Sequence, residues 1–331
     1  MAAAVLGTVG AALVAIFVGP ADLPARGVLL ALLDGLPGVD VEHGLTAAQH
    51  AVLWQIRLPR VMLGALVGGT LAIAGAAYQG VFRNPLADPY LLGVSSGAGL
   101  GATAMIVFGL AASTFAVPLA AFAGGVLAVT ATYLLGRGVG GGRTEVVIIL
   151  AGVAVAAFAN AGQTFLQQRY DDSMRQVYSW LLGRLSTNGW TEVGVALPYV
   201  ALTVVVILLF GRILDVMAVG DIEAASLGID PRRVRLLLVA VATLGTAAVV
   251  SVSGLIGFVG IVVPHAVRLL VGPGHRLLLP LSVLFGAAFL MLADVLARWA
   301  LAPAELPIGV VTAAIGAPFF LVVLRRSRKM T

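Results

Sequence analysis

The sequence predicts an all-α polytopic membrane protein with about ten transmembrane helices and both termini in the cytoplasm. Three observations carry this. The 331 residues are 60% hydrophobic and only 11% charged, with a mean hydropathy of +1.05, whereas roughly a quarter of a soluble domain is charged. The apolar residues gather in runs close to the length of about 20 residues that a bilayer crossing needs. The charges sit at the ends of those runs, and 19 of the 20 basic residues are arginine.

The runs lie near 3–20, 58–81, 90–110, 115–136, 146–167, 192–211, 233–251, 254–271, 277–297 and 307–324. Residues 1–21 carry no charge; with no basic segment ahead of the apolar stretch, they read as a first transmembrane helix rather than a signal peptide. Arg57-Leu-Pro-Arg60 leads into the second run. Between the second and third stands Arg83-Asn-Pro-Leu-Ala-Asp-Pro89, an elbow in which two prolines prevent a helix. The next run opens with Gly93, Gly97 and Gly101, whose four-residue spacing clears one helix face for close backbone contact. Residues 89–136 hold no Asp, Glu, Lys or Arg and suffice for two crossings, turning at Ser113-Thr114 and Pro118.

Residues 233–271 make two crossings only if Ser251-Val-Ser-Gly254 reverses the chain. Arg232, Arg233 and Arg235 ahead of this stretch and Arg268 and Arg276 behind it favour that reversal, since both ends then face the cytoplasm. Ten crossings leave thirteen basic residues inside and seven outside, the sign expected of a positive-inside topology. The longest intervening pieces, 21–57 and 168–191, leave no soluble domain, so residues 1–331 read as a single transmembrane domain with a cytoplasmic loop at about 212–232.

Several function classes fall away. With no cysteine, disulfides and thiolate metal sites are absent. The isoelectric point near 10.1 reflects arginines at helix ends, a topology pattern that implies a lipid bilayer and no nucleic acid as partner. Gly93-Val-Ser-Ser-Gly97 fits G-x-S-x-G but lacks the strand–turn–helix setting and the histidine of a nucleophile elbow. Gly138-Val-Gly-Gly-Gly142 with Arg143-Thr144 lacks the lysine of a phosphate loop, the single lysine being Lys329. His43, His50, His265 and His275 show no metal-ligand spacing, so no metal site is expected, and no catalytic residue is assigned.

Two patterns each suit two roles. Gly220-Asp-Ile-Glu-Ala-Ala-Ser-Leu-Gly228 reads as a two-turn helix capped by Asp221 and ended by Gly228, either an ordinary capped connector or a helix with Ile222, Ala225 and Leu227 exposed to a partner; Asp230-Pro231 starts the next helix. Asn160, Gln163, Thr164 and Gln167 share one face of the fifth run, where uncharged amides either bond a neighbouring helix or line a wet path.

The elbow, Arg57-Leu-Pro-Arg60, Trp180-Leu-Leu-Gly183, Ala225-Ser-Leu-Gly228, Gly254-Leu-Ile-Gly-Phe-Val-Gly260, Val263-Pro-His-Ala-Val-Arg268, Ala304-Glu-Leu-Pro-Ile-Gly309 and Gly316-Ala-Pro-Phe319 follow in an order that resembles the FecCD-type permease family. These are the membrane subunits of ABC importers for iron-siderophores, haem and cobalamin, and the resemblance covers roughly 55–326. It implies a homodimer in the bacterial inner membrane that moves a metal chelate by alternating access at the dimer axis, a ferric siderophore before haem or cobalamin. It also implies two copies of an ATPase subunit inside and an extracytoplasmic substrate-binding protein outside. The chain itself would be no enzyme and hold no cofactor, ATP and Mg being bound by the ATPase. Carried over by position, Asp221, Ile222, Ala225, Leu227 and Gly228 form the coupling helix. Asn84, Leu86, Thr144 and Glu145 form a cytoplasmic gate, and Asn160, Gln163, Thr164 and Gln167 line the pathway. Arg57, Arg60 and Arg298, at outer helix ends, meet carboxylates of the binding protein. The competing class, an ion-coupled secondary transporter, would place carboxylates at mid-bilayer; the deepest acid here, Asp294, stands four residues from Arg298 as a helical ion pair.

Overall fold

The computed structural model describes residues 1–19, 21–35, 37–111, 113–138, 144–302 and 304–327, and for 137, 138, 144–146, 324, 326 and 327 the backbone alone. Each of the ten predicted runs holds a helix. Helices α1 (Ala2–Phe17) and α2 (Ala25–Asp34) precede α3 (Ala47–Ala51), which continues through a π-helical turn (Val52–Arg57) into α4 (Leu58–Val81). A 3-10 turn (Pro89–Leu92) follows the elbow, then α5 (Val94–Val107), α6 (Ala116–Gly138), α7 (Thr144–Arg169), the short α8 (Met174–Leu181) and α9 (Thr191–Leu209). Two small helices, α10 (Gly211–Val219) and α11 (Asp221–Ser226), lead to α12 (Pro231–Ser253), α13 (Val259–Val271), α14 (His275–Trp299) and α15 (Ile308–Ser327).

By length and composition, six helical runs among the described residues can cross a membrane: Ala47–Val81, Ala116–Gly136, Val147–Arg169, Thr191–Leu209, Pro231–Ser253 and His275–Trp299. Three of the other predicted runs hold shorter apolar helices, Ala2–Phe17, Val94–Val107 and Val259–Val271, and in the last the described apolar stretch is Ile308–Val323.

The core is organised around α4, which is buried over almost its whole surface and packs on α9, α12, α13 and α14. Glycine makes this possible. A methyl group at Gly68 would overlap the carbonyl of Gly286 in α14, and one at Gly286 would overlap that of Gly68. A methyl at Gly75 would likewise strike the backbone of Gly260 in α13. These are small-residue crossings of the kind that let membrane helices touch backbone to backbone. Around them, Leu63, Val67, Leu71, Leu278, Leu281 and Leu290 form part of one buried cluster.

The glycine stripe after the elbow acts as expected at two of its three positions. Gly97 lies against Gly124 and Gly101 against the carbonyl of Ala120, both in α6. Gly93 serves a different end: at φ 86° it is the left-handed residue that caps the start of α5, a conformation glycine adopts without steric cost.

The chain reversal between α12 and α13 falls later than the expected Ser251–Gly254. Helix α12 runs on to Ser253, and residues 254–258 make the turn. This non-helical backbone is buried at Gly254 and Ile256 and half-buried at 255, 257 and 258, so its polar groups need partners within the protein. The Tyr90 hydroxyl donates to the Ile256 carbonyl at 3.1 Å and accepts from the Ile256 N–H at 3.3 Å, while Arg184 N–H donates to the Ser253 carbonyl at 2.7 Å.

The glycine crossings set a stability test. Gly68→Ala and Gly286→Ala are each expected to cost about 2 kcal/mol or more through overpacking against backbone. Gly10→Ala and Gly194→Ala, which meet open space, are expected to be neutral or slightly stabilising, because alanine is the better helix former. Thermal unfolding of the detergent-solubilised variants checks the contrast.

Candidate functional site

The candidate docking residues lie at one end of α4, the elbow at the other, and the four polar pathway candidates on α7. At the end where Arg57 and Arg60 lie, a cluster of charge is folded inward. Arg57 is 5% exposed and donates to the carbonyls of Ile16 at 2.6 Å, Phe17 at 3.2 Å and Ala21. Arg298 is 8% exposed and donates to Val18 at 2.6 Å and Ala15 at 3.1 Å. Together they satisfy carbonyls at and beyond the C-terminus of α1, which the helix itself leaves without donors.

Asp294, 2% exposed, neutralises the cluster. It pairs with Arg298 four residues on at 2.9 Å, as expected, and with Arg60 at 2.9 Å. Arg60 also reaches Glu305 at 2.9 Å, and this guanidinium holds the Glu305 carboxyl below the usual carboxylate range. A cavity of 180 Å³ opens among Val52, Ile56, Arg57, Arg60, Arg298 and Glu305. The expectation of three guanidiniums presented to a partner is therefore corrected in its geometry. Arg57 and Arg298 clasp α1, and Arg60 alone reaches out to an exposed carboxylate.

At the other end, α4 closes in a Schellman turn: Asn84 N–H donates to Gln79 at 3.1 Å and Arg83 N–H to Gly80 at 3.3 Å. The residue in the left-handed position is Arg83, at φ 47°, where glycine is usual and a side chain costs about 1 kcal/mol. Its guanidinium reaches Asp221 of α11 at 3.3 Å, and Arg235 of α12 meets the same carboxylate at 3.2 Å. Asp221 thus joins the elbow, the small helix and the start of α12.

Helix α11 is a single short stretch that exposes apolar side chains beside the polar Glu223 and Ser226. Ile222 is 83% exposed and Leu227 70% exposed, with Ala225 and Gly228 exposed beside them, while Ala224 is buried. Gly228 ends the helix at φ 81°, with Ile229 N–H bonded to Ala224 at 3.0 Å. Asp230 caps α12 through the N–H groups of Arg232 at 3.1 Å and Arg233 at 3.2 Å. The expected capping role of Asp221 is not seen: Gly220 holds the cap position without a side-chain bond, and the carboxylate is given to the two arginines.

The elbow itself is rigidly bonded. Asn84 accepts from Leu86 N–H at 2.9 Å, and Leu86 projects outward. Thr144 and Glu145 begin α7, but their side chains lie outside the described residues. On α7, Asn160 and Thr164 are exposed, Gln163 is half-buried and Gln167 buried. The Gln163 amide oxygen faces Gly99 of α5, where a methyl would come within 2.7 Å. The Thr164 hydroxyl is spent on the Asn160 carbonyl at 2.9 Å. The four polar residues therefore divide between helix contact and an open face.

Arg83 and Arg235 are the residues the sequence did not single out. Tyr90, Gln79 and Arg268 are similar: Arg268 donates to Gln79 at 2.8 Å, and Gln79 in turn to Gly260 at 3.1 Å, tying α4 to α13. Among the described residues no group of three or more His, Asp or Glu is placed to hold a metal ion. His43 and His50 stack at 5.1 Å.

With this geometry the family can be stated. Residues 7–326 match the FecCD transport family, and the chain belongs to it. It is 45% identical over 285 residues to the cobalamin import system permease protein BtuC of Halobacterium salinarum, covering 86% of this chain and 76% of that protein. It is 40% identical to the hemin transport system permease protein HmuU of Yersinia pestis, covering 92% and 96%. A solved structure described as an inward-facing, metal-chelate type ABC transporter superposes with a TM-score of 0.85 at 30% identity, covering 98% of each chain.

The elbow offers a pH test. Asp88 is buried, and burial pushes its carboxyl up to about 6 despite the Tyr90 N–H that favours the charged form. A carboxyl raised from 3.8 to about 6 on folding lends stability that is fully present below the unfolded value and is lost as pH rises through the folded one. Thermal stability is expected to fall between about pH 4 and pH 6. Asp88→Asn, which keeps an acceptor for Tyr90 N–H, is expected to flatten that fall and to be the more stable form at pH 8 in pH-scanned melts.

Proposed function

We propose that this chain is the permease subunit of an ATP-driven importer of a metal chelate, in the class of ferric siderophores, haem and cobalamin. The observation that carries the reading is the stance of α11: a short helix presenting Ile222 and Leu227 to the exterior while Asp221 is held from behind by Arg83 and Arg235. An apolar knob fixed to the bundle by charge suits a groove on an ATPase. Relatives named for cobalamin and hemin transport support the cargo class. A ferric citrate import permease of Bacillus subtilis, YfmD, 37% identical over 91% of this chain, supports it too.

On this reading two copies pair about a cargo path lined by the open face of α7, with Asn160, Gln163, Thr164 and Gln167 offering hydrogen bonds and no fixed charge. Asn84 and Leu86 of each elbow, with Thr144 and Glu145, close the cytoplasmic side. ATP-driven closure of two ATPase subunits pushes α11, and Arg83 passes the push to the elbow and so to α4 and α5. Both termini lie in the cytoplasm and the chain sits in the inner membrane. The binding protein docks at the opposite end, where Arg60 and Glu305 overlie the clasp made by Arg57 and Arg298. An ion-coupled carrier is disfavoured because its natural proton site, Asp294, is held by two guanidiniums.

Leu227→Asp and Ile222→Asp each set a carboxylate in the ATPase groove, where an unpaired buried charge is costly. Both variants are expected to insert and purify as wild type and to lose ATPase co-purification and at least about 90% of chelate uptake. Wild-type uptake and retained ATPase would contradict the assignment of α11.

A further inference from the structure

Where α9 gives way to α10, and α14 begins, the surface holds a cavity of 360 Å³ that belongs to none of the sites above. It is lined by the apolar Leu208, Leu209, Leu279 and Pro280 and by the polar side chains of His275, Arg212 and Arg276. Both arginines are exposed, and among the described residues no carboxylate lies within ion-pair distance of either. The acid nearest in the chain, Asp215, is bonded to a wall of the cavity: it accepts from the His275 backbone N–H at 2.7 Å and bonds the His275 ring at 2.8 Å. The basic groups are thus left for something outside the protein. The neighbouring surface is apolar, with Leu209 and Leu277 exposed.

A cleft at a junction of helices that sets leucines beside two guanidiniums matches an acyl chain joined to a phosphodiester. We propose that this cavity binds the headgroup of an anionic phospholipid, the phosphate held by Arg212 and Arg276 and the chains laid along Leu208, Leu209 and Leu279. Guanidinium fits phosphate through paired charge-assisted hydrogen bonds, and basic clefts between helices at the cytoplasmic surface are natural sites for anionic lipid. The cavity lies at the α10–α11 end, so an occupied site would steady the base on which α11 stands. This inference does not depend on what the protein transports.

Native mass spectrometry of the full chain, exchanged into detergent with phosphatidylglycerol or with phosphatidylcholine of the same chains, tests it. The wild type is expected to retain phosphatidylglycerol about tenfold better. Arg212→Gln with Arg276→Gln is expected to abolish the preference, and Arg232→Gln, outside the cavity, to leave it intact. Equal retention of the two lipids by the wild type would overturn the proposal, as would an equal loss in the Arg232 variant. Glycerol phosphate that displaces the lipid at equimolar concentration would also overturn it, by showing a phosphate site with no part for the chains.

Discussion

The backbone contact between α4 and its neighbours is the constraint from which the rest of the arrangement follows. Lipid offers helices no hydrophobic reason to associate, so packing has to come from close approach. Gly68 against Gly286 and Gly75 against Gly260 bring three helices to touching distance along one line. Larger residues at these places would part α4 from α13 and α14. The reversal at 254–258 would then lose the helices that bury it, and its peptide groups would lose the partners that a bilayer does not supply.

A helix held this tightly transmits position from one end to the other. The run from Ala47 to Val81 is 35 residues of continuous helix, about 52 Å long. Its first half carries Arg57 and Arg60, which fasten α1 and the loop after α14. Its far end passes into Arg83, which meets α11 through Asp221. The pair is partly exposed and modest in energy; its value is geometric, since it joins the elbow to the short helix that exposes Ile222. The left-handed backbone at Arg83 gives up stability that a glycine would have kept, which fits a residue retained for what its side chain reaches.

Much of this was legible in the sequence because the relevant signals are local. Prolines at 85 and 89, the Asp230-Pro231 cap, the stop at Gly228 and the i, i+4 pair of Asp294 and Arg298 each depend on neighbours in the chain. The apolar runs gave helix positions to within a few residues, apart from the α12–α13 reversal, where Ser253 continues the helix and Gly254 ends it. What was not legible depends on distance. Nothing near Arg57 or Arg298 announces that both turn inward to the carbonyls of α1. Nor does anything near Asp221 show that its partners lie 138 residues before it and 14 after it. Gly93 illustrates the same limit, sharing a spacing with two packing glycines while serving as a turn.

The link between the elbow and α11 can be measured directly in this cysteine-free chain. Spin labels at Leu86→Cys and Leu227→Cys, both exposed sites, in chains diluted with an excess of unlabelled chain, report the elbow–α11 distance by pulsed electron resonance in lipid nanodiscs. A single narrow distribution is expected, broadening when Asp221→Asn removes the charge that holds the two together. A distribution already broad in the labelled parent, or one unchanged by Asp221→Asn, would contradict the role given to Arg83 and Asp221.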